Sequence, residues 1–414
     1  MIPVRVGLVG IGGFGASHIR CLQRLQPDRL FELVAVADAA LHSHAETAAA
    51  LREQGIACFS DYQNMLSIGP DLEAVILCTP IPLHKEMATA ALRQGLHVYL
   101  EKPPVILSSD LQELIQLDTQ RRTAVGFIGV SNPSIRKAHS LIARGDIGEL
   151  RSIRIAASWP RPSWYYNRSN WAGKLVIGSE PVFDGPATNA LSHYVHLASY
   201  LACGDADGHE SLSWLEAELY RARPIEAYDT CSLQGEFANG TEFTIALTHA
   251  CRNRTDVEVR FVGAERTASL SIGRSSVHSD LFEDVGDSTS ALDTNLRNFA
   301  EGIRGSTRFY STLEDCVPFL DVVAGMWISS GGIHSIDPAH ISTWNEEPNT
   351  LFHISDVETA LARSLEGLKF SDQGYPWAAK PRRTFAGQFS SLGLKEALLA
   401  STGQTQQAAL AELP

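Results

Sequence analysis

The sequence contains no run of roughly 18 consecutive apolar residues, the length a membrane-spanning helix requires. It also lacks any excess of positive charge: 34 Lys and Arg stand against 47 Asp and Glu, a formal net charge of −13. Nucleic acid and anionic membrane surfaces both need clustered positive charge, so neither is expected as a partner. The seven cysteines are odd in number, scattered, and never in Cys-x-x-Cys spacing. That speaks against a disulfide framework and a tetrahedral zinc site, and for a reducing compartment. No basic-then-apolar leader is visible, because Val4–Val9 already reads as a strand. The expectation is a soluble, cytoplasmic protein that takes a small molecule and no metal.

What is present is ordinary globular material. Hydrophobic residues make up 44% and charged residues 20% of 414 residues, enough chain for about two domains. In the first third, short apolar runs at Val4–Val9, Leu33–Ala37, Ala74–Cys78 and His97–Leu100 alternate with helical patterns. The helical patterns fall at Ala16–Leu25, Ala45–Arg52 and Lys85–Arg93. Such alternation predicts an α/β domain, a doubly wound parallel sheet covered on both faces. A helix at Ser108–Thr119 and a strand at Ala124–Ile128 complete it.

Beyond residue 129 strands dominate: Leu150–Ala157, Glu216–Arg221, Thr230–Phe237, Glu242–Thr248, Asp256–Val262 and Thr267–Ile272. Asn239-Gly240 predicts a hairpin with a type I′ turn, positive in φ at both central residues. Helices are expected near Pro186–Leu201, Thr294–Ile303 and Thr312–Ile328, with Ser311 and Glu314 in capping-box spacing before the last. This predicts an α+β domain with a large, mainly antiparallel sheet. The expected boundaries are 1–128 for the nucleotide domain, 129–380 for substrate and oligomerisation, and 381–414 for a polar tail. A sheet with few helices to cover it also predicts a homodimer or homotetramer.

Gly10-Ile11-Gly12-Gly13-Phe14-Gly15 follows a strand and opens a helix, the setting of a dinucleotide-binding loop. Gly10 permits the tight turn, Gly12 a close approach by the pyrophosphate, and Gly15 close helix–strand packing. The pyrophosphate would meet the positive end of the helix dipole. Asp38 lies 23 residues past Gly15, where an acidic residue accepts hydrogen bonds from the adenosine ribose. Ala39 and Ala40 supply no arginine for a 2′-phosphate, so NAD is favoured over NADP. An ordinary turn or helix-cap residue is the alternative reading of Asp38.

Ala74-Val-Ile-Leu-Cys-Thr-Pro80, Leu83-His84, Ala91-Leu92, Gly95 and His97-Val-Tyr-Leu-Glu101-Lys102-Pro103 together closely resemble the Gfo/Idh/MocA family. This is the family of glucose–fructose oxidoreductase and inositol 2-dehydrogenase. Val125-Gly-Phe127, Asn132-Pro133 and Gly145-Asp-Ile-Gly-Glu-Leu150 continue the likeness, which covers about residues 4–335. Gly374-Tyr-Pro-Trp377 is a weaker echo.

The resemblance implies a nicotinamide cofactor at the sheet's edge and a substrate in a cleft between domains. Gly10, Gly12, Gly13, Phe14, Gly15, Asp38, Thr79, Pro80, His84, Glu101 and Lys102 would contact the cofactor. Read blandly, His84 is a solvent-facing helix-start residue and Lys102 a surface lysine paired with Glu101. By resemblance, Lys102 steadies the substrate oxygen and His193 exchanges the hydroxyl proton. The common family pattern places Asp, Gly and Asp where this chain has Asn189, Leu191 and His196, and Arg where it has Val130. Asp184 is then the nearby carboxylate that could serve His193. His193 and His196 stand three apart, but no third metal ligand suggests itself, and a buried core histidine is the plainer reading of His196.

The segment 159–174 is dense in aromatics and cations. Trp164, Tyr166, Arg168 and Trp171, with Asn189 and Asp184, are candidate substrate contacts, since aromatic faces stack on sugar rings. Core or subunit packing is the equal alternative for the aromatics. The expected reaction is hydride exchange between NAD and a secondary alcohol or ketone of a sugar, cyclitol or related polyol. Three other functions fit the resemblance: a glycosidase acting by transient oxidation, a non-enzymatic NAD- or ligand-sensing regulator, and an NADPH-linked reductase of a non-sugar carbonyl.

Overall fold

In a computed structural model, residues 2–68, 71–204, 207–273, 277–282, 290–388 and 391–402 are described. Six parallel strands form the first sheet: β1 (Val4–Val9), β2 (Phe31–Ala37), β3 (Ala57–Phe59), β4 (Ala74–Leu77), β5 (His97–Leu100) and β6 (Thr123–Val125). Their spatial order is β3-β2-β1-β4-β5-β6, the dinucleotide-binding order, with the direction of progression reversing between β1 and β4. The central strands are apolar on both faces, with Val4, Val6, Leu8 and Val75–Ile76 fully buried, because helices cover both sides. Gly15–Leu25, Ala45–Glu53, Tyr62–Ile68, His84–Arg93 and Ser108–Leu117 are the helices that follow strands β1 to β5. Neither β3 nor the helix Tyr62–Ile68 is predicted from the sequence. The three residues of β3 are only half-buried and give too short a pattern.

Contacts divide the chain into two units, and the first includes Thr289–Cys316 as well as the N-terminal residues. Sequence order places the helix Ala291–Ile303 in the later domain. Its Leu292, Leu296, Phe299 and Ala300 instead complete the first core beside Phe31 and Tyr99. Asp293 accepts from Arg24 Nε at 3.1 Å and from the Cys21 thiol at 2.9 Å. A return of the chain from so far away leaves no local pattern.

The second unit is built on a nine-stranded sheet. Its members are β7 (Leu150–Ser158), β10 (Leu212–Arg221), β11 (Thr230–Phe237), β12 (Glu242–Thr248), β13 (Val257–Gly263), β14 (Thr267–Ile272), β15 (Val277–Ser279), β16 (His334–Ser335) and β19 (Thr384–Phe385). The numbers between belong to two small hairpins, β8 (Val176–Ile177) with β9 (Glu180–Pro181), and β17 (Ile341–Glu346) with β18 (Asn349–Ile354). Pairing in the large sheet is antiparallel except where β7 meets β12 and β10 meets β16.

Three local expectations are corrected. At Asn239-Gly240 only the glycine has positive φ, +85°. Gly240 N–H donates to Phe237 O, and Phe237 N–H to Thr241 O, so three residues form a type I turn closed by a left-handed glycine. The Asn239 side chain accepts from Thr241 N–H, which favours that geometry over two left-handed residues. Near Ser311 the cap lies one residue later: Thr312 N–H and its hydroxyl both donate to Asp315, while Glu314 pairs with Arg121.

The third correction concerns the sheet face expected to be open. The helix Val357–Ser364 and the chain after it cover the face over β7 and β10–β13. Arg154 and Arg260 donate to the Leu365 carbonyl, and Gln234 donates to the Gly367 carbonyl. Trp377 meets Tyr220 and Phe370 edge to face, each at 5.4 Å between ring centroids, and those two rings lie tilted to one another at 6.3 Å. The stretch of the β10 edge between its pairings with β19 and β16 is covered, with Ala217 and Leu219 N–H groups donating to the Ser329 and Ser330 hydroxyls. The tail contributes β19 and a helix, Ser391–Ser401, that buries Leu394 and Leu398; residues 403–414 of the expected tail lie outside the described residues. All seven cysteines are free thiols. No helix among the described residues is long and apolar enough to cross a membrane.

Candidate active site

The first group of candidate residues is built by the turn after β1. A Cβ on Gly10 would lie 2.6 Å from Cys78 O, and one on Gly15 would lie 1.9 Å from Gly10 O, so neither position admits a side chain. Gly13 has open space around it, and the helix from Gly15 carries no acidic residue in its first turn. The helix start is left positive and uncompensated, as an incoming pyrophosphate needs. Phe14 is 47% exposed at the rim of the loop. The Asp38 carboxylate accepts from Ile11 N–H at 2.9 Å and from Ala40 N–H at 2.8 Å. It is therefore locked between the glycine loop and the end of β2, and each oxygen keeps a second lone pair for a ribose hydroxyl. His44, which the sequence reading does not single out, lies with its imidazole against Gly12.

The second group sits at the ends of β4 and β5, beside the point where the order of the strands reverses. His84 is buried, in contrast to the solvent-facing alternative. Its two ring nitrogens contact the carbonyl oxygens of Thr79 (2.8 Å) and Pro103 (3.0 Å), tying the chain after β4, where Pro80 follows Thr79, to the turn that carries Lys102. Burial pushes its pKa down despite those carbonyls. The Lys102–Pro103 peptide is cis. Glu101 faces inward, with its carboxylate accepting from the Lys102 backbone N–H (3.2 Å) and hydrogen-bonded to His18 Nε2 at 2.9 Å. His18 comes from the helix that follows the glycine loop and is fully buried. The Glu-Lys-Pro turn is thus fastened from one side by His84 and from the other by His18 through Glu101. A histidine on the apolar face of a helix gives no sequence signal of this role, because its partner lies 83 residues away. His18, Cys78 and Glu101 also place ligand atoms within 4.8 Å of one another, the only such trio among the described residues. His18 Nε2 and Glu101 are already bonded to each other there, while His18 Nδ1 is buried without a hydrogen-bond partner among the described residues.

The third group belongs to the second unit. Residues Pro186–Ala190 make one π-type turn, closed by Leu191 N–H on the Pro186 carbonyl, before the helix Ser192–Ala202. Such turns recur at functional sites because they turn a side chain out of helical phase. Asn189 lies in this turn and its amide donates to Asp184 Oδ1 at 2.7 Å, while Gly173 N–H donates to Asp184 Oδ2 at 2.7 Å. Asp184 and Asn189 are therefore brought together, although sequence alone leaves their relation open. His193 is half-buried at the second position of the helix. His196 is fully buried, with its ring 4.3 Å from that of His209. Burial, with His209 and His193 adding to it, holds the His196 pKa well below the usual histidine value.

In the segment 159–171 the candidates divide. Trp164 is 54% exposed, whereas Tyr165 is buried and Tyr166 lies beneath the Arg223 guanidinium, 4.6 Å from its ring centroid. Arg223 in turn pairs with Asp229 at 3.1 Å, both buried. Arg168 stacks between Tyr165 and Trp171, at 3.6 and 4.8 Å from the ring centroids. Core and surface uses of these aromatics coexist within one short segment.

Comparison with known proteins fits this arrangement. Residues 4–127 match a family described as "Oxidoreductase family, NAD-binding Rossmann fold", and residues 135–269 match the "GFO/IDH/MocA C-terminal domain". The chain belongs to the GFO/IDH/MocA family and is an enzyme, an NAD-binding oxidoreductase. It is 24% identical over 318 residues to inositol 2-dehydrogenase of Pseudomonas savastanoi pv. phaseolicola, covering 74% of this chain and 88% of that one. Its fold resembles the WlbA dehydrogenase of Bordetella pertussis, solved with NADH and UDP-GlcNAcA. That match has a TM-score of 0.66 and 22% identity, and covers 80% of this chain and 97% of the other. It also resembles myo-inositol 2-dehydrogenase from Lactobacillus plantarum, with a TM-score of 0.62, 18% identity, and 80% and 97% coverage.

Proposed function

We propose that the protein oxidises a secondary alcohol on a sugar, cyclitol or related polyol, reversibly, with NAD as the partner. The observation that carries this reading is the Glu101-Lys102-Pro103 turn, braced by His84 and His18 beside the glycine loop, in a chain whose curated relatives include inositol 2-dehydrogenases. The glycine loop, Asp38, Thr79 and Pro80 would hold the dinucleotide, which when bound accepts hydride from the substrate carbon. Lys102, on a turn fixed from both sides, supplies a positive charge for the oxygen as it develops negative charge. His193 takes the hydroxyl proton, and Asn189, oriented by Asp184, donates to whichever oxygen is presented. Glu101 and His84 act as positioning residues through their hydrogen bonds to the Lys102–Pro103 turn. Measuring reduced nicotinamide by absorbance across a polyol panel tests the reading; no turnover on any secondary alcohol would refute it.

NAD is proposed over NADP. The Asp38 carboxylate is fixed by two backbone N–H groups, and a 2′-phosphate brought to it would meet negative charge. NAD is expected to bind tighter by about tenfold or more, a difference of ~1.4 kcal/mol. Isothermal titration with both cofactors checks this, and equal or tighter NADP binding would overturn it. Asp38→Ala narrows the gap, weakening NAD and relieving the repulsion.

Assembly into a homodimer or homotetramer is part of the same proposal. It rests on the family resemblance, since the open sheet face that also suggested it is covered; exposed Trp164 (54%) and Phe385 (49%) are surface features that support it. Light scattering at micromolar concentration should give a mass above the 45.1 kDa of one chain, and a monomer would count against it. A cytoplasmic location is proposed with it, supported by seven free thiols.

A further inference from the structure

Cations and aromatic rings alternate through the second unit beside Asp184. Arg254 lies over Trp159 at 3.9 Å, Arg161 lies between Trp159 (5.7 Å) and Tyr165 (4.4 Å), and Arg168 lies between Tyr165 and Trp171. In a chain of net charge −13 this is a local concentration of positive charge. Arg223 is neutralised by Asp229. Arg161 and Arg168 have no carboxylate partner among the described residues.

A second observation is independent of charge. Four buried polar atoms in this neighbourhood make no hydrogen bond among the described residues: Arg161 Nε, Tyr166 Oη, Ser169 Oγ and His249 Nε2. Buried polar atoms are almost always satisfied, and four together indicate a partner of matching chemistry. His249 is 2% exposed, and its Nδ1 contacts the Trp159 carbonyl at 2.9 Å. A carbonyl only accepts, so Nδ1 carries the proton. Burial, then the charges of Arg161, Arg223 and Arg168, push the His249 pKa well below its usual value. The ring is neutral and Nε2 is left as an acceptor. The set therefore offers one charged donor, one acceptor and two hydroxyls.

The neighbourhood is joined to the candidate site through protein contacts. Tyr166 packs against Gly173, whose N–H holds Asp184, and Asp184 holds Asn189 four residues before His193. Both Asp184 oxygens accept from N–H donors, Oδ2 from Gly173 and Oδ1 from the Asn189 amide.

We infer that the alcohol oxidised here carries an anionic group, a carboxylate or a phosphate, held by Arg161 and Arg168 among these rings, an inference that rests on the dehydrogenase reading above. The hydroxyls of such a molecule satisfy His249 Nε2, Tyr166 and Ser169. Neutral polyols satisfy the second requirement and not the first.

The test uses the full-length enzyme with NAD and three probes: myo-inositol, D-glucuronate and glucose 6-phosphate. One anionic probe is expected to give the highest kcat/KM, and which one decides between carboxylate and phosphate. In Arg161→Gln and Arg168→Gln, the preference for that probe over myo-inositol should fall ~10–100-fold, chiefly through KM, as for loss of a charge-assisted hydrogen bond. Added salt should shrink the preference in the wild type. Arg168 is exposed, so its variant reports even where Arg161→Gln perturbs folding, and Arg161→Lys should restore part of the preference. If myo-inositol is used as well as every anionic probe, the inference fails and the dehydrogenase reading stands. If nothing is oxidised, calorimetric titration decides: binding of an anionic probe that Arg168→Gln weakens keeps the anion site and sinks the dehydrogenase reading. Absence of such binding overturns the inference.

Discussion

Replacing His193 with alanine is expected to lower turnover by about 10²–10⁴-fold, the usual weight of a general base, while NAD affinity stays nearly unchanged. The residue stands at the second position of the helix Ser192–Ala202, half-buried, directly after the π-type turn. His196, three residues on, is fully buried and held neutral by its surroundings, so it is a poor candidate for exchanging protons with a ligand. Stopped-flow and steady-state rates on a verified substrate, with cofactor binding measured separately, check the assignment. Near-wild-type turnover in His193→Ala would end it.

The neighbours of His193 sharpen the test. Asn189 cannot carry charge, yet its amide is oriented by the Asp184 carboxylate. Asp184→Asn would turn one acceptor into a donor against either Gly173 N–H or the Asn189 amide, and is expected to disorder the turn as well as remove charge. Asn189→Asp sets two carboxylates side by side and should shift the pH–rate profile upward, because added negative charge raises a histidine's pKa.

Much of the first unit was legible because parallel, doubly covered strands write themselves as apolar runs. Val4–Val9 and His97–Leu100 were read with their observed limits, as were Thr230–Phe237, Glu242–Thr248 and Thr267–Ile272 in the second unit. Features whose meaning is non-local were not. The return of Ala291–Ile303 to the first core depends on contacts such as Arg24 with Asp293, far apart in the chain. The covering of the large sheet by residues after Val357 has the same character. Asn239-Gly240 shows an intermediate case, where the hairpin was visible but the turn type depended on how the asparagine side chain was used. At the candidate site the glycine loop and the Glu-Lys-Pro turn could be read as motifs. His18, His44 and His249 could not, since a buried histidine looks like any other core residue until its partners are known.

Those partners bear on Lys102, whose replacement by alanine should be at least as damaging as that of His193. An alkoxide forming as hydride departs needs positive charge at a fixed place, and a water-filled gap in its stead costs ~10²–10³-fold or more. The fixing is visible. Lys102 N–H is held by Glu101, Glu101 by His18, and the Pro103 carbonyl by His84. Lys102→Arg keeps the charge but changes its reach and shape, and should recover only part of the rate. The brace predicts a second, graded effect. Glu101→Gln leaves Lys102 in place, retains one hydrogen bond to either His18 or the Lys102 backbone, and should lower kcat more than it raises KM. A purely structural role for Glu101 would instead lower thermal stability and leave kcat per folded molecule unchanged. Wild-type kcat/KM in Lys102→Ala would refute the assignment of the lysine itself. Wild-type kcat in Glu101→Gln would leave the lysine standing and remove only the brace.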